Sequence, residues 1–371
     1  MTHHKRIKAA LFAAVFSITM LTSNAYAAEE NVLNVYNWID YIALDTIANF
    51  EKETGIKVRY QTYEDNETLD ATLRNKNADY DVVVPSSDWA KAQIDNELFL
   101  KLNKAKLPNL KNLDTDFTDR LKNSDPKNAY LVAYLWGYTT LGVNVDKVLK
   151  ALGKTPLPKN LWELAFNPVY TKKLKSCGIA FLDSPGDIMP IALHYIGKPP
   201  FSTNATDYTA AAEALNKVRP DIKYISSSGQ ADRFADESVC IAIGWGADFS
   251  RARKISKDKG KSLNIAPVFP EKSGLLFLDS MAIPKNAKHP DNAHKFINYI
   301  LRAEVHAKIT NETKYANPNK ASTKFVDIAM MNDRSLILPK QDFSRLIAPE
   351  ALDENIQLAR EKAFERFKAS K

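Results

Sequence analysis

The chain has 371 residues, with 51 Lys and Arg against 44 Asp and Glu for a formal charge of +7, six histidines and two cysteines. Its basic residues form no dense block interleaved with aromatics, which argues against a nucleic-acid partner, and its length exceeds what one hydrophobic core usually serves, which predicts two domains. The first element along the chain is a targeting segment: Lys5, Arg6 and Lys8 precede an apolar stretch over 9–21 and a small-x-small site at Ala25-Tyr26-Ala27. That stretch is too short for a stop-transfer helix, so residues 1–27 are expected to be a secretory signal cleaved near Ala27. No cysteine stands at the cleavage site to carry acyl chains, which predicts a freely soluble periplasmic protein, and it is expected to be a monomer. Processing removes Lys5, Arg6 and Lys8 and no acid, taking the formal charge from +7 to +4. Any cation binding must therefore rest on local acidity.

From residue 32 the pattern alternates: a strand over 32–37, a helix over 45–53 stopped by Gly55, a strand over 56–60 and a helix over 67–75. A near-continuous apolar run over 80–84 then reads as a strand buried on both faces of a parallel sheet. Pro85-Ser86-Ser87 follows, so that Ser86 or Ser87 can cap a helix starting near Asp88. A long extended segment over 131–144 marks the first crossing between domains. Strands over 179–182, 222–226 and 239–245, with helices over 210–218 and 248–257, make a second α/β unit. Strands over 263–268 and 275–283 and a helix over 290–301 return to the first. The expected architecture is α/β with two lobes, 28–136 and 260–312 in lobe 1, 137–259 and 313–371 in lobe 2. Hinge strands join them about a central ligand cleft that receives the carboxyl ends of strands from both sides. Cys177 and Cys240 lie in apolar, strand-like contexts, and an even pair in an oxidising compartment is expected to bond, which places both strands in one lobe.

Three stretches end a β-like apolar run with an aromatic residue followed closely by aspartate: Tyr36-Asn37-Trp38-Ile39-Asp40-Tyr41, Gly244-Trp245-Gly246-Ala247-Asp248 and Phe277-Leu278-Asp279. An ammonium group gains from a carboxylate and from an aromatic face, while a methylene chain gains only from leaving water between apolar walls. One pocket holding all three stretches would select a polyamine.

The first of these stretches, with Asn49-Phe50-Glu51-Lys52-Glu53-Thr54-Gly55-Ile56-Lys57-Val58 and Val83-Val84-Pro85-Ser86, resembles the start of the periplasmic polyamine-binding proteins. Gly142-Val143-Asn144-Val145-Asp146-Lys147-Val148, Lys175-Ser176-Cys177-Gly178, Phe181-Leu182-Asp183, Ile243-Gly244-Trp245 and Tyr315-Ala316-Asn317 are similar to the putrescine-binding subgroup, so the likeness spreads over almost the whole mature chain. The resemblance implies a two-lobe receptor of the type II periplasmic fold that feeds the membrane subunits of an ABC importer, needs no cofactor and performs no chemical step. It further implies that Trp38, Tyr41, Trp245, Phe277 and Tyr315 line the methylene chain, that Asp248 and Asp279 neutralise charge, and that Ser86 adds a hydrogen bond. Three positions depart from the pattern. Ile39 stands where a small hydroxyl residue is usual, Asp88 replaces a hydroxyl or aromatic residue, and Gly186 falls where the subgroup carries an acid, with Asp187 just after it. If Asp88 faces the cleft, an extra or differently spaced ammonium is favoured, as in spermidine, cadaverine or agmatine; if it flanks its helix, nothing changes.

Each candidate has a structural competitor. Trp245 and Phe277 fit ordinary core positions, Asp248 fits a helix N-cap, Arg251 three residues later is placed to neutralise it, and Tyr315 fits the start of a turn. Asp248 and Asp279 also fit a general acid and base pair of a hydrolase. Against catalysis, no nucleophile elbow, zinc helix, dinucleotide turn or Walker loop is present, and His194, His289, His294 and His306 show no metal-ligand spacing. A ferric-iron receptor would need an adjacent tyrosine pair with a supporting histidine, which is absent. An amino-acid receptor would need an arginine clamp, which the site segments lack.

Overall fold

Two sheets organise the chain. In the computed structural model, residues 29–370 are described apart from residue 76 and residues 270–273, so the expected signal segment lies outside the described residues. In the smaller sheet β1 (Val32–Trp38) is flanked in parallel by β2 (Lys57–Tyr63) and β3 (Val82–Val83), in the order β2-β1-β3. The helix Thr46–Thr54 connects the first pair and ends where Gly55, at φ 72°, donates its N–H to the Glu51 carbonyl at 2.8 Å. Glycine adopts that left-handed cap without steric cost, which is why the sequence punctuates the helix there.

The larger assembly contains β4 (Val132–Asn144), β5 (Ile179–Phe181), β6 (Tyr224–Ile225), β7 (Ile241–Trp245), β8 (Ile265–Val268) and β9 (Leu275–Met281), ordered β6-β5-β7-β4-β8 with β9 also paired to β4. β5 runs parallel to β6 and β7, whereas β4 is antiparallel to β7, β8 and β9. The length of β4 lets one strand serve two cores. Its first half pairs with β9 and gives Val132, Leu135 and Tyr138 to a core built on Leu33, Phe50, Leu278, Phe296 and Ile297. Its second half pairs with β7 and β8 and gives Leu141 and Val143 to a core built on Phe181, Ile188, Tyr208, Ile241 and Phe364.

Two further segments pass between these cores. The Leu276 N–H donates to the Ile347 carbonyl at 2.8 Å and the Ile347 N–H donates to the Gly274 carbonyl at 3.0 Å. A Cβ on Gly274 would stand 2.1 Å from the Thr139 carbonyl oxygen, so only glycine lets the crossing segments approach this closely. Residues 313–371, expected together, divide between the cores: Tyr315, Leu336 and Leu346 lie in the first, Leu352, Phe364 and Phe367 in the second. β8, expected with the first unit, is hydrogen-bonded to the second half of β4. An apolar run announces a strand or helix; which core receives it depends on pairing register.

The helix Glu354–Ala369, not foreseen from sequence, packs on the helices Pro185–Tyr195 and Ala205–Asn216. Cys177 and Cys240 are disulfide-bonded across a 63-residue interval with Cα atoms 5.4 Å apart. The bond fastens the segment entering β5 to the start of β7. Replacing both cysteines by serine is expected to lower the unfolding free energy by about 4 kcal/mol on the loop-entropy account, measured by urea denaturation. An unchanged midpoint would mean that the bond does not restrict the unfolded chain.

Candidate functional site

The carboxyl ends of β1, β3 and β7 converge on a cavity of about 380 Å³ between the two cores. From the β1 end come Trp38, Ile39, Asp40 and Tyr41. The Trp38 indole N–H donates to the Val84 carbonyl at 2.8 Å and its ring lies 4.6 Å from that of Tyr63, so the side chain is half-buried and held rather than free. Tyr41 meets Tyr315 edge-on at 4.7 Å, and Tyr315 meets Phe277 at 6.0 Å, making one continuous aromatic wall. Gly137 stands opposite Phe277 in the β4–β9 ladder, and a Cβ there would fall 2.3 Å from the ring. The glycine leaves the space that this ring occupies. Tyr315 follows Lys314, which ends the helix Ala303–Thr313 in the left-handed region at φ 67°. Tyr315 itself is in no turn, contrary to the alternative read from its sequence context: it leads into the bridge of Ala316 with Trp136, and it lines the cleft.

Asp279 is buried beneath this wall rather than on it. Its two carboxylate oxygens accept hydrogen bonds from the Ser86 hydroxyl and the Tyr41 phenol, each at 2.6 Å. Burial raises its pKa, the two hydroxyls oppose that rise, and the nearby Asp88 and Asp187 charges add to it, leaving the carboxyl pushed up to about 7. Ser86 occupies the N-cap position of the helix Ser87–Asp95 but makes no capping bond with its side chain. Its hydroxyl is committed to Asp279, which corrects the expectation that it caps the helix.

Across the cavity, Trp245 ends β7 and precedes the helix Gly246–Asp258. Asp248 is the third residue of that helix, so it is not the N-cap. Its Oδ1 is held by Arg251 at 2.5 Å, and its buried Oδ2 has no hydrogen-bond partner among the described residues. Burial raises the Asp248 pKa while Arg251 holds it down. For Arg251, burial disfavours the charge and Asp248 more than restores it, so its pKa lies above the ordinary value. Arg251, outside the site segments read from sequence, thus lines the cleft, and it engages Asp248 as its three-residue spacing suggested.

Of the ten sequence-predicted ligand residues, Trp38, Asp40, Tyr41, Ser86, Asp88, Trp245, Asp248, Phe277 and Tyr315 line the cavity, while Asp279 reaches it through Ser86 and Tyr41. Ile39 and Gly186 line it too. Asp187 supplies the acid beside Gly186: it is held by the Thr139 hydroxyl and by Ser184 at 2.8 Å, and burial raises its pKa. Ser184-Pro185-Gly186-Asp187 is a capping-box spacing with proline in the first turn, the signal that would have placed Asp187 at a helix start. Glu67, Trp89 and Asp232 also line the cavity and carried no comparable signal. Among the described residues no cluster of acids, histidines and cysteines is arranged to hold a metal, and no helix is long and apolar enough to cross a membrane.

Residues 45–333 match the family described as bacterial extracellular solute-binding protein. The chain is 39% identical over 346 residues to the putrescine-binding periplasmic protein PotF of Escherichia coli (strain K12), covering 93% of each chain. It is 39% identical over 347 residues to the putrescine-binding periplasmic protein SpuD of Pseudomonas aeruginosa (strain UCBPP-PA14), covering 94% of each. Among solved structures it is similar to a putative spermidine/putrescine ABC transporter protein from Listeria monocytogenes, with a TM-score of 0.81 and 28% identity over 92% of this chain and 100% of that one. A cleft between two α/β cores, these matches and their coverage lead to one conclusion: the chain belongs to the bacterial extracellular solute-binding proteins and has their two-lobe periplasmic binding-protein fold.

Proposed function

We propose that the protein captures a linear polyamine, putrescine foremost, in the periplasm and presents it to the membrane permease of an ABC importer. The carrying observation is the make-up of the cleft: among the described residues its lining brings nine carboxylates against one cation, Arg251, between aromatic walls that include Trp38, Tyr41, Trp245, Phe277 and Tyr315. A protein whose mature formal charge is positive has thus concentrated acid at one place. One ammonium is matched by Asp248 through its unpartnered Oδ2, the other by Asp279 with Asp187, and the rings enclose the methylenes. Burying four methylenes contributes about 3 kcal/mol and each well-placed aromatic about 0.5 to 2. Association and desolvation offset part of this, so the expected affinity is micromolar or tighter. The names of the relatives favour the same ligand. In this reading the receptor is a monomer released after cleavage near Ala27, its lobes are separated by the crossings at β4, residues 274–275 and residue 347, and no bond is made or broken.

A thermal-shift panel of putrescine, cadaverine, spermidine, spermine, agmatine and arginine tests the proposal, because a ligand that binds only the native state raises the melting temperature. Putrescine is expected to give the leading response; a flat panel would remove the polyamine assignment. The raised Asp279 carboxyl adds a pH signature. A dication favours the ionised carboxylate, so binding releases the proton held below about pH 7. Putrescine affinity should fall as pH drops below 7, approaching tenfold per unit for one released proton. Calorimetry in buffers of different ionisation enthalpy measures it, and an affinity constant from pH 5 to 8 would exclude Asp279 as the counterion.

A further inference from the structure

Arg360 is a buried cation that the polyamine reading has not used. It projects from the helix Glu354–Ala369, is 1% exposed, and has its guanidinium carbon 5.9 Å from the ring centroid of Trp89, a residue of the cleft wall. Its Nε and Nη2 have no hydrogen-bond partner among the described residues, and no acid among them stands within ion-pair distance. A guanidinium does not shed its proton to relieve burial, so it needs counter-charge nearby. The acids its field reaches include Asp88, Glu67 and Asp187, all on the cleft lining; burial raises the pKa of each, and Arg360 opposes that rise by favouring the ionised form. The cavity therefore has two unlike ends. Asp248, joined by Arg251, lies towards Asp232, whereas Asp88 and Glu67 share their charge with an arginine of the protein itself.

We propose that Arg360 is a resident cation that closes the Asp88 end of the cleft to a third ammonium and so restricts the site to diamines. This rests on the polyamine reading above and deepens it. Asp88 lines the cleft, which by itself would favour an additional ligand charge; the charge of Arg360 reaches it and answers part of that acid from within the protein. A triamine long enough to pass Asp279 would bring its last ammonium towards Trp89, whose ring centroid already has a like charge 5.9 Å away. A neutral tail of equal length would meet only the aromatic wall.

Calorimetric titration with putrescine, spermidine and N-propylputrescine, which keeps the three-carbon arm of spermidine but lacks the ammonium that ends it, tests that charge apart from the arm. The wild-type protein is expected to bind N-propylputrescine at least tenfold more tightly than spermidine, a comparison that needs no variant to fold. In Arg360→Met, affinity for spermidine relative to putrescine should rise about tenfold, whereas Arg360→Lys, which keeps the charge, should retain the wild-type ratio. Wild-type preference for spermidine over N-propylputrescine, or an unchanged ratio in a folded Arg360→Met protein, overturns the filter while leaving putrescine capture intact. Failure of the wild-type protein to bind any of the three overturns the polyamine reading and the filter with it.

Discussion

Asp279→Asn is expected to weaken putrescine binding by thirtyfold to several thousandfold, the roughly 2 to 5 kcal/mol that follows truncation of one charge in a buried, hydrogen-bonded pair. The same substitution should raise the melting temperature of the ligand-free protein at pH 8. In the native state this carboxyl keeps its proton up to about pH 7, whereas in the unfolded chain it has ionised by about pH 4. The native state therefore binds more protons across that interval, and stability falls as pH rises through it. Above pH 7 the wild-type protein holds an ionised carboxylate against desolvation, with only the Ser86 and Tyr41 hydroxyls to support it. An amide occupies the same space without charge. Melting curves with and without putrescine at pH 5 and pH 8 separate the two effects. A ligand-induced shift equal to wild type would mean that another group balances the ammonium.

For Asp248→Asn the expected result combines loss of binding with loss of stability. Its Oδ1 holds Arg251, and removing one partner of a buried pair leaves the other uncompensated, at a cost of about 3 kcal/mol. Arg251 would then stand in the cleft as an unmatched cation and repel the ligand. Asp248→Asn combined with Arg251→Met should recover most of the stability, because an apolar side chain replaces the stranded charge, without recovering putrescine affinity. Chemical denaturation and titration of the two single variants and the double variant close the cycle. Additive stability losses would show that the two side chains do not act as a pair, and undiminished binding in Asp248→Asn would remove it from the ammonium site.

The elements around the cleft were legible because each carries a local cause. Gly55 ends its helix through a backbone angle that glycine accepts, the apolar run before Pro85 is a buried parallel strand, and two of the three aromatic-aspartate stretches fall at strand ends, the third lying within β9. The C-terminal helix was hidden because two of its core-facing positions are Gln357 and Arg360, which break the apolar stripe that Ala363, Phe364 and Phe367 would otherwise announce. Asp248 was legible as an acid near the ligand and Arg251 as its possible partner, since three residues apart on a helix is contact distance. The hydroxyls on Asp279 were not, because Ser86 and Tyr41 are 193 and 238 residues away in sequence.

By itself the sequence determined the α/β alternation, the aromatic and acidic residues available to a cleft, and the pairing of two cysteines, because propensity, spacing and residue chemistry act within a few positions or through composition. The tertiary structure alone decided which core received each strand after residue 260, that Asp279 lies under the wall with its pKa raised, and that Asp88 comes within the field of a buried arginine. Burial and charge proximity set those properties, and both are created by strand register and by the docking of the last helix.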